Sequence, residues 1–411
     1  MSVTNYQQPD AYTPSDNPQD FVSLSNQIAV SDFTYRVICT DLITSETQTY
    51  NPKQWPSNGR LVFPARNFAK KYIRNYVPNN VYGFQLCVDA IRKIRVNVGE
   101  YYSAAYVAGT NYEYIIWNGV LRALDWVDYD QTDFVYNHFT TNLKYLSSLP
   151  ASTGYLMGTR TTYSDTSLFI YVLSSQVFDF QALEIKTYNS AGTLLGTSEI
   201  ANPYQGSATY TDKYVAIDIG HKGLTQIASG LVTGTYPIMT ASVAYYLITD
   251  VTVTGSPPAV PSTLIARVDV ECEPVYDVYT LHYKAKSGNF ETLHFSKLSE
   301  HTETIEKSYY RKNPNDLASN TYLYTKFTQW ETALSSTGTD TFVINTDWLT
   351  PTQVAAHREI VSSKEVYIDY GSTIGLVPVK VLNNSILDNK SYNNKLFAIA
   401  LNIEITAKNN Y

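Results

Sequence analysis

The sequence predicts a mainly β fold, with two to three antiparallel β-sandwich-like domains in tandem and a few short helices. Of 411 residues, 36 are tyrosine and only 16% are charged, and aromatic and β-branched side chains suit a pleated, half-buried surface. Several stretches alternate apolar and polar residues with a period of two, as half-buried strands do. Clusters of Gly, Asn, Asp, Ser and Pro punctuate those stretches along the whole chain. A chain of this length has room for two to four domains, each burying its own core.

Residues 1–27 are rich in Gln, Asn, Asp, Ser and Pro and read as a flexible N-terminal arm. Its deletion is expected to leave the domains folded. The first β domain is assigned to residues 28–106, where "FTYRVICT" and "FQLCVDAIRKIRVNVGEYYSAAY" alternate. Between them, in "RNFAKKYIRNYV", Phe68, Tyr72 and Tyr76 recur at helical spacing beside Ala69, Ile73 and Val77, predicting a short helix near 66–77. Arg66, Lys70, Lys71 and Arg74 make its outer face basic, suited to solvent, an acidic neighbour or phosphate.

The second β domain is assigned to residues 107–275. "YEYIIWNGVLRALDW" sets Asn118-Gly119 between two apolar runs, the signal of a two-residue hairpin whose turn residues take positive φ. "LEIKTYNSAGTLLGTSEI" predicts another hairpin with a longer turn. "TGSPPAVPS", residues 254–262, is too rigid and too poor in N–H donors to continue a strand, and reads as a stiff surface loop.

The C-terminal β domain is assigned to residues 276–411. In "LTPTQVAAHREIVSS", Thr350 caps, Pro351 takes the first helical position and Gln353 completes a capping box, which predicts a helix over 351–362. "EVYIDY", a turn at Gly371-Ser372 and "LVPVKVL" follow. The last strand, "LFAIALNIEITA", sets Phe397, Ile399, Leu401, Ile403 and Ile405 on one face.

The formal charge of −7 argues against a general attraction to nucleic acid. The N-terminal residues lack a basic region followed by an apolar core, and no run of 18 apolar residues occurs, so synthesis as a soluble protein in the cytoplasm is expected, with no membrane insertion. Cys39, Cys87 and Cys272 are widely spaced, which predicts buried free thiols and neither a disulfide framework nor a zinc cluster. No Gly-rich phosphate loop, H-E-x-x-H helix or G-x-S-x-G elbow is present. In "LDWVDYDQTDF", Asp125, Asp128, Asp130 and Asp133 flank Trp126 and Tyr129. Paired carboxylates beside aromatic rings serve glycosidases, and the spacing departs from a calcium-binding loop; solvated loop acids are the reading adopted. No catalytic residue and no cofactor is assigned.

"YTLHYKAKSGNFETLHF", residues 279–295, reads as a hairpin. A loop of Ser287-Gly288-Asn289 separates apolar from polar residues: Leu281 and Tyr283 face Phe295 and Leu293, while His282 faces His294 and Lys284 faces Thr292. Two opposed imidazoles could share a metal, but a zinc site needs three or four ligands and this face offers none besides the pair. A solvated or interface-facing polar pair is therefore expected.

Three stretches taken together resemble a known group. "YIIWNGVL" followed by "DWVDYDQTDFVY", the hairpin above with its downstream "IEKSYYRKN", and "EIVSSKEVYIDY" with "LVPVKVLNNSILDNKSYNNKLFAIALNIEITA" are similar to virion proteins of tailed phages that infect Bacteroidota, including crAss-like phages. The hairpin departs from the group, because Lys-Ala-Lys-Ser precedes Gly288 where Trp, Leu or Asn is more usual. The resemblance implies a structural subunit of the virion, in a tail, baseplate hub or neck ring, with copies of itself and other tail or neck proteins as partners. A carbohydrate-binding adsorption protein that meets host surface glycan is the alternative, and a glycan-cleaving enzyme the third. Tyrosine offers contact area with a polar tip and so suits surfaces that are wet before assembly and dry afterwards. Tyr101, Tyr102, Tyr112 and Tyr129 are the interface candidates.

Overall fold

The computed structural model describes residues 3–77, 82–120, 137–139, 143–151, 154–176, 180–204, 211–252, 260–271, 274–311, 331–383, 397–407 and 409–410, and it is mainly β. Antiparallel pairing dominates, with parallel exceptions at Tyr12–Pro14 beside Asn111–Trp117 and at Thr159–Tyr163 beside Val260–Glu271. No helix of the described residues is long and apolar enough to cross a membrane.

In the first domain, a three-stranded sheet of Val3–Gln7, Asp20–Ser25 and Leu61–Pro64 accompanies a second built on Thr34–Asp41, Ile91–Tyr102 and Asn111–Trp117. Phe21 and Leu61 from the former and Tyr35, Val37, Val96 and Ile116 from the latter form one buried cluster. This corrects the expectation of a flexible arm over residues 1–27. "DFVSLS" alternates strictly, and although only its apolar members are greasy, Phe21, Ser23 and Ser25 are all buried. The polar residues of this segment find partners inside: the Gln19 carboxamide oxygen accepts from the Tyr114 hydroxyl at 2.9 Å. Low apolar content misled because a strand needs a buried face of only a few residues.

The helix is also shorter than 66–77, running Arg66–Lys70. Beyond it the backbone turns away, with the Arg74 amide donating to the Asp89 carbonyl at 2.9 Å. The domain boundary at 106/107 needs correction too. Asn111–Trp117 pairs along its length with Ile91–Tyr102 in the first domain, whereas Phe84–Leu86 pairs with Thr211–Asp218 in the second. Asn118 and Gly119 do not form the expected turn: neither has positive φ, and Val120 donates to the Lys286 carbonyl at 2.8 Å, carrying the chain on toward the third domain.

The second domain stacks a five-stranded sheet centred on Phe169–Gln176 and Thr211–Asp218 against a six-stranded sheet centred on Phe180–Tyr188 and Tyr245–Thr252. Ile170, Ile217, Leu183 and Ile248 meet in its core. The hairpin expected at 183–200 forms, with the Asn189 side chain accepting from the amides of Ala191 and Thr193 across the turn. Residues 260–262 open the strand Val260–Glu271, with Pro261 opposite Val251, instead of closing a loop; residues 254–259 lie outside the described residues. A register shift between Asp250 and Val251 adjoins that position, where a residue without an N–H is tolerated.

The third domain is one sheet in the order Phe290–Phe295, Tyr279–Lys284, Val366–Asp369, Leu376–Val381, Ala400–Ile405, Glu331–Asn345, Glu300–Arg311. The helices Pro351–His357 and Glu359–Ser362 cover one face through Val354 and Ile360, and the capping box of Thr350 and Gln353 forms as expected. Leu401 and Ile403 are buried while Ala400 and Asn402 are exposed, the alternation expected of the last strand. A further core joins all three domains through Trp117, Tyr171, Tyr214 and Phe290.

Candidate functional site

The histidine hairpin lies at the seam between the second and third domains. Its observed register pairs His282 with Thr292, and Thr280 with His294, so the two histidines share a face but are not opposed. The loop is Lys286-Ser287-Gly288, one residue earlier than expected. Gly288 has φ +93° and its amide donates to the Ala285 carbonyl at 3.1 Å, so the glycine takes the left-handed closing position of a three-residue loop. A glycine one place further into the loop, as expected from sequence, leaves that position to Asn289.

The pair is neither solvated nor at an open surface, which is a second correction. His282 is fully buried beneath Phe169, ring centroids 5.2 Å apart, and His294 beneath Tyr163 at 5.3 Å. Each imidazole Nδ1 shares a hydrogen bond with a threonine hydroxyl, Thr292 for His282 at 2.9 Å and Thr280 for His294 at 3.0 Å. Their Nε2 atoms are buried without a hydrogen-bond partner among the described residues. Burial, with the nearby Lys222 for His282 and with His282 itself for His294, pushes both pKa values down to about 3, so both rings are neutral at ordinary pH. Among the described residues, no group of three or more His, Cys, Asp or Glu side chains could hold a metal ion.

Beside the histidines sits a buried ion pair that the sequence did not single out. Arg160 of the second domain donates to Glu291 of the hairpin at 3.0 Å, with both side chains buried. Glu291 also accepts from the Ser148 amide at 2.8 Å and the Asn289 amide group at 3.1 Å, and Arg160 donates to the Ser147 hydroxyl at 2.6 Å. Burial alone would raise the Glu291 pKa, but the Arg160 charge and these donors overcome it and hold the carboxyl down at about 2. His357, on the helix, bonds the Tyr283 hydroxyl at 2.9 Å and is pushed down to about 4 by burial. A cavity of about 90 Å³ opens among Arg160, Tyr163, His294, Trp348 and His357. The ionised acid has its oxygens engaged by donors and the imidazoles are neutral and enclosed, so this chemistry is arranged to clamp two domains together.

Two surfaces remain. A groove of about 410 Å³ between the first and third domains is lined by Arg66, Lys70, Lys284, Lys286 and Lys364, with Asp16 and Glu359 as its acids. Arg66 and Lys70 belong to the basic helix face noted in the sequence, and both pair with Asp16. Lys284 is largely buried, donates to the Asn75 side-chain oxygen at 2.5 Å, and is pushed down to about 8 by burial. The other is a ribbon at the far edge of the third domain's sheet, made of Glu300–Arg311 and the first half of Glu331–Asn345, with Asn409–Asn410 pairing at Thr337 and Gly338. All twelve residues of the outer strand are exposed.

The interface candidates fare differently. Tyr112 is engaged within the first domain, edge-on to Phe21 at 5.8 Å and with its hydroxyl donating to the Pro9 carbonyl. Tyr101 is half-buried beneath the Arg36 guanidinium, 4.3 Å from the ring centre, and Tyr102 is half-buried next to it. Tyr129 and the acids Asp125, Asp128, Asp130 and Asp133 lie outside the described residues. The sequence reading missed Tyr309, 58% exposed, and Tyr310, 44% exposed, on the ribbon. The signal for them was present in "EHTETIEKSYYR", a β-prone run with no apolar alternation.

No known family matches the sequence, and no curated protein is similar to it. Among solved structures, the teleost fish polymeric Ig receptor ectodomain aligns at 8% identity over 66% of this chain and 98% of that one, with a TM-score of 0.17. A Ca2+-stabilized adhesin with which an Antarctic bacterium binds ice aligns at 8% identity over 84% of this chain and 69% of that one, also with a TM-score of 0.17. Likeness at that level leaves the function to be argued from the residues themselves.

Proposed function

We propose that this chain is a structural subunit of a bacteriophage virion, joined to copies of itself and to other tail or neck proteins in a tail, baseplate hub or neck ring. The observation that carries the reading is the ribbon. A ribbon whose outer strand exposes every one of its twelve residues, and whose inner strand over 331–340 is backed among the described residues only by Asn409–Asn410 at Thr337 and Gly338, buries too little to be stable alone in water. Such a ribbon is explained by a partner that covers it. Ile305, Tyr309, Tyr310 and Leu334 are exposed along it, which supplies the aromatic and aliphatic anchors that interfaces use. The engaged ionisable groups of the seam support the same reading, since they serve cohesion between domains. The resemblance of the three sequence stretches to virion proteins supplies the virion context. Negative-stain imaging and mass photometry of the purified chain test it. Closed oligomers are the expected result, and a chain that stays monomeric at every concentration would overturn the reading.

A further inference from the structure

The ribbon and the basic groove stand at opposite edges of the same sheet. Glu300–Arg311 is the strand at one edge, while Lys284 and Lys286 sit at the turn joining the two strands of the other edge. Five to six strand spacings separate them, roughly 24–29 Å at about 4.8 Å per strand. No side chain of a given copy spans that distance, so whatever joins the two surfaces joins two molecules.

Their charges are complementary. Over 300–311 and 331–340 the ribbon carries Glu300, Glu303, Glu306, Glu331 and Asp340 against Lys307 and Arg311, a net of −3 with histidine neutral. The groove carries five cations against two acids, a net of +3. Two complementary patches at different places on one chain make a heterologous contact, which closes into a ring when the rotation per subunit divides a full turn.

We propose that the acidic ribbon of one copy seats in the basic groove of a second copy, head to tail. This rests on the assembly reading above and names the contact that makes it. The carboxylates of the ribbon meet Lys286 and Lys364 at the mouth of the groove, and Tyr309 and Tyr310 are covered at the same time.

Charge reversal tests it. Glu300→Lys with Glu306→Lys alters the ribbon, and Lys286→Glu with Lys364→Glu alters the groove; assembly is followed by mass photometry and sedimentation. Each altered chain alone should lose at least tenfold in assembly affinity, and mixing the two should restore it, because each pairing in the mixture is again complementary. Raising salt from about 50 to 500 mM should weaken assembly of the unaltered chain, a measure that needs no variant to fold. Oligomers that persist in both altered chains and ignore salt overturn the ribbon-to-groove contact while leaving the assembly reading intact. An unaltered chain that never assembles overturns both.

Discussion

Glu291 and Arg160 show how a single pair can decide the strength of a domain seam. Taking two charges out of water is costly, and removing one partner leaves the other buried without compensation. Glu291→Gln is therefore expected to lower the stability of the folded chain by about 3–5 kcal/mol, read as a shift in the urea midpoint. Replacing both, as Arg160→Met with Glu291→Leu, should cost less than the sum of the single changes, because no orphan charge remains. The neighbouring histidines set the response to pH. His282 and His294 are held at about 3 and His357 at about 4 in the fold, against an ordinary value of 6.5. The unfolded chain thus binds protons first as pH falls, so stability is fullest above 6.5 and drains away as pH drops toward 4. Asp218, pushed up to about 6 by burial, works the other way below pH 6, one group against three. Each unbalanced proton is worth about 1.4 kcal/mol per pH unit, and a net loss of roughly 4 kcal/mol between pH 7 and 5 is expected. Thermal midpoints measured across that range check it, and His282→Gln with His294→Gln should flatten the slope.

Elements show where local sequence suffices and where it fails. The capping box at Thr350 and the alternation of the last strand are written within a few residues, and the fold keeps both. The Arg160–Glu291 pair spans 131 positions, so nothing near either residue announces it. The hairpin register turned on one glycine: the separation of apolar from polar residues fits either of two registers two residues apart, and only the backbone demand at Gly288 chooses between them. A Cβ at Gly288 would lie 2.6 Å from the Asn118 carbonyl, besides straining the positive φ. Gly371 has φ +78° but open space around it. Gly288→Ala should therefore destabilise by more than the roughly 1 kcal/mol expected for Gly371→Ala, and the difference in urea midpoints isolates the clash. The N-terminal segment offers a sharper contrast with its composition. Deleting residues 1–27 removes the strand that carries Phe21 and pairs with both Val3–Gln7 and Leu61–Pro64. A calorimetric transition lowered in both midpoint and enthalpy is expected; an unchanged trace would return the segment to the status of an arm.

For the whole molecule the question is whether three domains unfold as three. Trp117 ends a strand of the first domain and is completely buried among Tyr171 and Tyr214 of the second and Phe290 of the third. Its indole N–H donates to the Ser287 carbonyl at 3.0 Å, inside the turn that Gly288 closes. The Tyr214 hydroxyl donates to the Gly288 carbonyl at 3.2 Å, so the second domain grips the same turn. The seam of Arg160, Glu291 and the histidines adds a buried contact between the second and third domains. Interfaces of this kind resemble domain cores more than the polar contacts across which domains move freely. The chain should therefore unfold in a single calorimetric transition, with the ratio of van't Hoff to calorimetric enthalpy close to one. Trp117→Ala removes the common member of the joint and is expected to cost about 3–5 kcal/mol, but its more telling effect is on cooperativity. The domains keep their separate cores at Phe21, Ile170 and Leu281, so the single transition should split into at least two. A transition that only moves to lower temperature, still single, would mean that the Arg160 seam and the remaining apolar contacts suffice to hold the three domains as one body.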